Sequence, residues 1–213
     1  MKDLQRLYAL CKKSNSTFLI VLLRHVYYRM KGRTIFAHQR AIIVNPDHIT
    51  TQGPLKVGLD YAGFAHQHDV TYLNVDGQLI CQGPVSIGRG CRLAVGAQAR
   101  IELGERVFIN ALTNFIIMHT LRIGRDCNIS WECQFLDDDF HEIDYEGSKT
   151  QTVTGITLGD RVWVGSRVSV YKGTVIPDGC VIASNSVVKG VFDEPNTLIA
   201  GNPAKVIKRN VVW

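Results

Sequence analysis

The stretch from residue 156 to residue 188 reads ITLGDRVWVGSRVSVYKGTVIPDGCVIASNSVV, and one spacing rule runs through it. Every sixth residue is aliphatic, at Leu158, Val164, Val170, Ile176, Ile182 and Val188. The residue four places after each of the first five is small or β-branched, at Val162, Val168, Thr174, Cys180 and Ser186. An α-helix repeats about every 3.6 residues and a strand alternates, so a period of six fits neither.

Short strands joined by turns explain this period. One strand and its turn take six residues, and three such units close a coil of about 18 residues that stacks on the coil before it. Further trains of the same period run from Val75 to Ala99, from Leu103 to Phe115 and from Ile117 to Phe135. The spacing therefore predicts a mainly β protein, a parallel β-solenoid whose aliphatic residues form continuous ladders inside it.

The details of the repeat carry a family resemblance. An aliphatic residue followed by Gly, with a small residue four places on, resembles the hexapeptide-repeat acyltransferases over roughly residues 43 to 210. This resemblance implies a left-handed parallel β-helix, although parallel crossovers are right-handed by default. We expect an N-terminal helical segment at residues 1–33 and the β-helix acyltransferase domain at residues 34–210.

The N-terminal segment is predicted to be helical from residue 3 to about residue 31, with a break at residues 14–17. The predicted apolar stripes are Leu4, Leu7, Tyr8 and Cys11 in the first part, and Leu19, Leu22, Leu23, Val26 and Tyr27 in the second. Either these helices cap the end of the solenoid, or basic residues such as Arg24 and Arg29 contact a membrane surface. Residues 34–74 are expected to form a degraded lead-in, with weak spacing at Ile43, Ile49 and Leu55.

Composition excludes several classes of protein. With 46% hydrophobic and 20% charged residues the chain is globular, and a net charge of +5 is too small to indicate nucleic-acid binding. The apolar run at residues 18–23 is far shorter than the roughly 20 residues of a membrane span, and no cleavable signal peptide is visible. The six cysteines form no C-x-x-C pair, and all of them except Cys11, which is on a predicted helix stripe, fall on inward repeat positions. This pattern predicts buried thiols and a cytoplasmic location.

The repeat is interrupted once, by the polar segment LDDDFHEIDYEGSKTQTVTG at about residues 136–155. Insertions in a solenoid become loops on one face, and His141 lies in this one. Acyl transfer to a hydroxyl needs a base that works near neutral pH, as an imidazole does. The loop resembles that of the capsule and exopolysaccharide O-acetyltransferases. The resemblance assigns the catalytic base to His141 and the placing of the acceptor hydroxyl to Asn110, while Asp139 is the candidate carboxylate that orients the imidazole.

The C-terminal repeats resemble the family's acetyl-CoA site. The residues that this resemblance assigns to acetyl-CoA are Trp163, Gly165, Ser166, Ser184, Lys189, Pro203, Lys205 and Lys208. In the family, backbone groups near Gly165 and Ser184 would hold the pantetheine arm, the proline packs on adenine, and basic residues meet the phosphates. Family members often have Gly-Ala where this chain has Ala183 and Ser184, which places a side chain in the expected groove.

The resemblance as a whole implies an acetyl-CoA-dependent O-acetyltransferase that acts on a sugar or polysaccharide hydroxyl without a metal. It also implies a homotrimer with active sites between subunits. Two alternatives stay open: a sugar-nucleotide N-acyltransferase, and a non-catalytic solenoid used as an assembly subunit. A zinc enzyme similar to γ-class carbonic anhydrases is disfavoured, because the paired His-x-x-x-x-His spacing of that family is missing.

Overall fold

The computed structural model describes residues 2–60, 65–66, 68–141, 144–145, 148–149 and 155–213. Two helices come first, α1 (Lys2–Lys13) and α2 (Phe18–Met30), separated by a turn at residues 14–17 as the sequence predicts. Three parallel sheets then form the three faces of a coil that the chain winds repeatedly in the order A, B, C. Within the described residues, no helix combines the length and the apolar character that crossing a bilayer requires.

Each sheet takes one strand from each turn of the coil. Sheet A holds β1 (Ile35–Ala37), β4 (Leu55–Val57), β7 (Val85–Ile87), β10 (Val107–Ile109), β13 (Asn128–Ile129), β18 (Trp163–Val164), β21 (Val181–Ile182), β23 (Leu198–Gly201) and the antiparallel β24 (Ala204–Lys208). Sheet B holds β2 (Ile42–Val44), β5 (Tyr72–Val75), β8 (Arg92–Val95), β11 (Asn114–Ile117), β14 (Gln134–Leu136), β19 (Ser169–Tyr171) and β22 (Val187–Val188). Sheet C holds β3 (Ile49–Thr51), β6 (Gln78–Cys81), β9 (Arg100–Leu103), β12 (Thr120–Ile123), β17 (Ile156–Leu158) and β20 (Thr174–Ile176). A 3-10 turn lies at Pro46–His48, and a hairpin of β15 (Asp144–Tyr145) and β16 (Ser148–Lys149) lies outside the three sheets.

The ladders predicted from the period of six are present. In sheet C, Leu103, Ile123, Leu158 and Ile176 are in register on successive coils, and all four are buried. In sheet B, the rings of Phe115 and Phe135 stack with centroids 4.7 Å apart, which matches the spacing of neighbouring strands. Because each coil covers the apolar face of the next, the core runs the length of the solenoid.

The six cysteines are buried free thiols, as predicted. Burial raises the pKa of Cys81, Cys91 and Cys127 to about 12 and that of Cys133 to about 11. A thiol with such a pKa is protonated at neutral pH, and these side chains therefore act as small apolar groups in the ladders.

The N-terminal helices pack against the first coil, but α2 does not use the predicted stripe. Val21 and Tyr28 are its buried residues, whereas Leu19, Leu23, Val26 and Tyr27 face outward. The prediction was wrong because α2 is apolar on nearly every side, so its periodicity does not identify the side that faces the protein. In α1, likewise, Leu7 and Cys11 are buried while Leu4 and Tyr8 are exposed.

A buried arginine connects the helices to the solenoid. Arg89 is 1% exposed, and its Nη2 donates hydrogen bonds to the carbonyl oxygens of Ser14 and Gly58. His38 lies in the same region, where burial and the nearby Arg89 charge lower its pKa to about 4. The helical segment is thus fixed to the coil by polar contacts as well as by packing.

The lead-in is more regular than expected. Residues 35–51 already form a complete coil, and Ile49 and Leu55 are buried core residues. What breaks the pattern is a second excursion, the connection between β4 and β5, which was not predicted; residues 61–64 and 67 lie outside the described part of the chain. The predicted loop does leave the coil between β14 and β17; its residues 142–143, 146–147 and 150–154 lie outside the described part of the chain.

Candidate active site

The loop that carries His141 is anchored where the chain passes from sheet B to sheet C, a border that we call the B/C edge. Asp137 is fully buried there and accepts three backbone N–H bonds from the coil before it. Its Oδ1 lies 2.7 Å from the nitrogen of Met118, and its Oδ2 lies 2.9 and 2.8 Å from those of His119 and Thr120. One carboxylate therefore holds the first residue of the loop against the preceding turn.

The second acid of the loop binds a histidine. Oδ2 of Asp138 lies 2.8 Å from Nε2 of His119, and Oδ1 accepts the backbone N–H of Phe140 at 2.6 Å. The bond from Phe140 and the bond with His119 lower the pKa of the Asp138 carboxyl. His119 is thus the imidazole that the structure pairs with a carboxylate. The spacing of the repeat gives no signal for His119, which lies two residues after Ile117 in the train from Ile117 to Phe135.

The third acid binds the coil that follows. Asp139 lies 2.6 Å from Nζ of Lys172, which comes directly after β19. The start of the loop, Asp137 to Asp139, is thereby attached both to the coil before its own coil and to the coil after it. The three acids each have a structural partner instead of forming a plain solvated run, and the orienting role of Asp139 toward His141 stays a prediction.

His141 comes two residues after Asp139, the last of these anchored acids, and is exposed. Among the described residues, no hydrogen bond or ion pair engages its ring. The imidazole therefore stands at the B/C edge, open to a substrate, on a segment whose start is fixed at three successive residues.

A second line of candidate residues follows the other border of sheet B, where the chain arrives from sheet A. We call this border the A/B edge. Gly88, Asn110, Ser130 and Gly165 are stacked along it, and each backbone N–H donates to the next coil at 2.7–2.8 Å. Ala183 continues the row with a bond of 2.8 Å to Ile199. Asn110 therefore lies on the same edge as the residues assigned to the donor.

Gly165 and Ser184 form the tightest part of this edge. A Cβ at Gly165 would lie 2.7 Å from the backbone nitrogen of Ser184 and 2.8 Å from the carbonyl oxygen of Ile182, so only glycine lets the coils stack here. The hydroxyls of Ser166 and Ser184 are 3.2 Å apart. The side chain of Ser184 thus forms a hydrogen bond with Ser166 on the neighbouring coil.

The remaining candidates for acetyl-CoA binding divide between the two edges. Trp163 is 40% exposed on sheet A, where its Nε1 donates to Ser130 Oγ at 3.1 Å and its ring lies 5.9 Å from that of Trp213. Pro203 and Lys205 are exposed in the β23–β24 hairpin that closes sheet A, with Lys208 three residues farther along β24. Lys189, by contrast, follows β22 and lies at the B/C edge.

The structure thus brings Asn110, Gly165, Ser166 and Ser184 to one edge and places His141 and Asp139 at the other. Sheet B separates them, and its strand β11 has four residues. Such a strand is about 13 Å long. Within one chain, the proposed base and the residues proposed to hold acceptor and donor lie on opposite borders of one sheet.

In the described part of the chain, no three His, Cys, Asp or Glu side chains lie together in a group that could hold a metal ion. His66 and His68 lie in the excursion after β4 with ring centroids 5.1 Å apart, and His68 also contacts Arg40.

Comparisons with known proteins agree with this architecture. Residues 155–190 match the family model described as bacterial transferase hexapeptide (six repeats). The chain is 35% identical over 206 residues to an uncharacterized 24.8 kDa protein of the Klebsiella pneumoniae cps region, covering 95% of this chain and 92% of that one. It is 32% identical over 148 residues to the putative lipopolysaccharide biosynthesis O-acetyl transferase WbbJ of Escherichia coli K12, covering 65% of this chain and 75% of that one. Among solved structures, the polysialic-acid-specific acetyltransferase NeuO superposes with a TM-score of 0.54 at 22% identity, covering 84% of this chain and 78% of that one.

These matches define the class: an acyl-CoA-dependent acyltransferase built on a left-handed parallel β-helix, as the family resemblance implies. The chain belongs to the hexapeptide-repeat acyltransferase family, to which its similarity to the Klebsiella and Escherichia proteins assigns it.

Proposed function

We propose that this protein transfers an acetyl group from acetyl-CoA to a hydroxyl of a sugar in a polysaccharide or lipopolysaccharide precursor. The relatives support this assignment by name: one is a putative lipopolysaccharide biosynthesis O-acetyl transferase, and the Escherichia coli polysialic acid O-acetyltransferase is 30% identical over 145 residues. The cps region of the Klebsiella relative fits the same assignment. The observation that carries it in this chain is the exposed imidazole of His141 on its anchored loop.

In this proposal, acetyl-CoA lies along the A/B edge. The backbone at Gly165 and the hydroxyls of Ser166 and Ser184 bind the pantetheine arm, while Pro203, Lys205 and Lys208 meet the nucleotide end. Trp163 borders the same edge, and Lys189 comes from the B/C edge of a neighbouring subunit. The small residues at this corner give an extended arm space to lie along the edge.

The chemistry is direct transfer without a covalent enzyme intermediate. Asn110 positions the acceptor, and the imidazole of His141 removes the proton of its hydroxyl as the oxygen attacks the thioester carbonyl carbon. A backbone N–H near Ser166 stabilises the oxyanion. The C–S bond then breaks, and the CoA sulfur leaves with the proton that the imidazolium returns. The cysteines take no part, since all six are buried.

We further propose that the enzyme is a homotrimer whose active sites lie between subunits. Asn110 and His141 lie on opposite borders of sheet B, and packing this sheet near a second copy would bring one subunit's A/B edge to its neighbour's B/C edge. The outer face of sheet B supports such packing. One of its columns is mainly apolar and half-buried, at Val44, Ala94, Ile116, Leu136 and Tyr171.

The coarser features of the proposal follow from the same observations. We place the catalytic machinery in residues 34–210 and treat residues 1–33 as an attached helical segment. The reduced, buried thiols fit the cytoplasm, where acetyl-CoA is the acyl donor.

A transfer screen tests the function. The purified protein is incubated with acetyl-CoA and a panel of sugars, sugar nucleotides, amino sugars and polysaccharide fragments, and products are read by mass and by CoA release. We expect one acetyl group on a sugar hydroxyl, released by mild base. A base-stable product would instead indicate N-acylation, and a panel without product or CoA binding would favour the non-catalytic solenoid.

Variants make the screen specific. His141→Ala should fold and bind CoA but lose most of its turnover. His48→Ala is the matched control, because His48 is exposed at the B/C corner of the first coil, four coils away. Full activity of His141→Ala would remove His141 from the mechanism.

A further inference from the structure

Helix α2 presents a continuous apolar face to solvent. Its six members are between 43% and 76% exposed: Leu19, Ile20, Leu23, Val26, Tyr27 and Met30. Their spacing places them on one side of the helix, opposite the buried Val21 and Tyr28. Helix α1 adds the exposed side chains of Leu4 and Tyr8. An apolar face this size on a structured helix is typical of an interaction surface.

The same segment holds the chain's excess of positive charge. Residues 1–33 contain eight of the 24 basic residues and a single acidic residue, Asp3, which gives this segment a formal charge of +7. The other 180 residues carry 16 basic and 18 acidic side chains and are therefore at −2. A basic residue also borders the apolar face itself: Nζ of Lys31 lies 5.4 Å from the centre of the Tyr27 ring and 3.7 Å from Oδ2 of Asp47.

The face cannot turn inward to hide from water. Arg24, on the side of α2 between the exposed and buried faces, donates to the carbonyl oxygens of His38 at 2.7 Å and Gln39 at 3.3 Å. These bonds and the packing of Val21 and Tyr28 fix the rotation of the helix. The structure itself therefore holds the six apolar residues outward.

We propose that the α1–α2 segment is a docking surface for a bilayer that contains anionic phospholipid. Short amphipathic helices with basic borders lie in the interfacial plane, with apolar side chains among the acyl chains and Lys and Arg at the headgroups. A second copy of the chain is a poorer occupant, because a two-fold contact through this face would bring two +7 segments together. The surface holds the enzyme at the membrane whatever its acceptor is, so the inference does not depend on the proposed function.

Vesicle flotation tests the proposal on the full chain. Vesicles of phosphatidylcholine with about 30% phosphatidylglycerol should carry the protein upward, whereas pure phosphatidylcholine should not, and raised salt should weaken binding as charges are screened. Absence of binding to the anionic vesicles overturns the proposal. Equal binding to both compositions also overturns it, because the basic residues would then have no role.

The double variant Leu23→Glu/Met30→Glu should lower vesicle partitioning at least about tenfold, since two apolar side chains become charged. The matched control is Val212→Glu, because Val212 is a 95% exposed apolar residue outside the helical segment. This control should bind vesicles as the wild type does. If the double variant instead changed the oligomeric mass and left vesicle binding unchanged, the face would be a protein contact and the proposal wrong.

A fluorescent label gives an independent readout. All six native cysteines are buried, so Leu23→Cys provides one accessible thiol for an environment-sensitive dye. Emission should shift to the blue on addition of anionic vesicles, and a dye at Val212→Cys should not shift. Emission from the Leu23→Cys label that did not change in the presence of vesicles would contradict insertion.

Discussion

Replacing Asp137 by asparagine tests whether the start of the loop that carries His141 is fixed in the way the structure indicates. The carboxylate accepts three backbone N–H bonds, one through Oδ1 and two through Oδ2. An asparagine side chain keeps the shape but has one oxygen, so its NH2 group must face at least one N–H donor. The substitution therefore removes one bond outright and weakens the other two by removing the charge.

The magnitude follows from the burial of the group. A hydrogen bond to a charged partner contributes about 1.5–3 kcal/mol, and a donor left buried without an acceptor costs a similar amount. Asp137→Asn should therefore lower the free energy of unfolding by about 2–4 kcal/mol. Turnover should fall as well, by about tenfold to a hundredfold, because His141 is four residues away and small displacements of a catalytic group cost that much.

Urea unfolding followed by tryptophan fluorescence measures the first effect, and steady-state acetyl transfer with a CoA titration measures the second. Asp193→Asn is the matched control, since Asp193 is exposed and should change neither quantity. If Asp137→Asn were as stable and as active as the wild type, the buried carboxylate would not hold the loop, and the anchoring argument would fail.

Three further outcomes follow from particular contacts. Gly165→Ala should weaken CoA binding about tenfold and lower the free energy of unfolding by about 1–3 kcal/mol, because the new Cβ would be 2.7 Å from the Ser184 nitrogen. An unchanged affinity for CoA, measured by calorimetry, would contradict a donor site at this edge. The pKa of His38 is lowered to about 4, so the unfolded chain takes up a proton at this residue below pH 6.5 that the folded chain does not. Stability should thus be intact above pH 6.5 and fall by at most about 3 kcal/mol as the pH drops to 4, and His38→Leu should remove this part of the pH dependence measured by denaturant titration. Lys172→Met breaks the 2.6 Å pair with Asp139, and it should lower kcat several-fold while CoA affinity stays the same; an unchanged kcat would show that the pair does not position the loop.

The solenoid was predictable because the period of six is imposed by the core itself. Leu158, Val164 and Val170 must point inward for successive coils to bury one another, so the pattern cannot drift without loss of the fold. The loop at residues 136–155 was predictable for the same reason, since a break in a strict repeat is visible in the sequence. Glycine at position 165 belongs to this group, because the corner has no room for a Cβ.

Other features depend on contacts that one sequence does not encode by spacing. The orientation of α2 was predicted wrongly, since Leu22 and Leu23 are equally apolar and only tertiary contacts decide which side is buried. The acids at 137–139 appear as a solvated run in the sequence, yet each one has its own partner, at backbone donors, at His119 and at Lys172. The excursion between β4 and β5 was missed because the surrounding spacing is weak.

The relative position of Asn110 and His141 is another feature that the spacing of the sequence does not encode. They are 31 residues apart in the sequence. That spacing does not show that Asn110 precedes the sheet B strand of its coil, whereas His141 follows the sheet B strand of the next coil. Only the course of the chain through sheet B shows that they lie on opposite borders. If both act on one substrate, the site requires two chains.

A subunit-mixing experiment tests this central claim most directly. Asn110→Ala and His141→Ala should each have little activity alone. When the two variants are unfolded together in equal amounts and refolded, a site at a subunit boundary receives an intact Asn110 from one chain and an intact His141 from the other in about one quarter of cases. The account predicts recovery of about one quarter of wild-type turnover, given random assembly of a symmetric oligomer. Mixed oligomers that form but stay as inactive as the separate variants would contradict it.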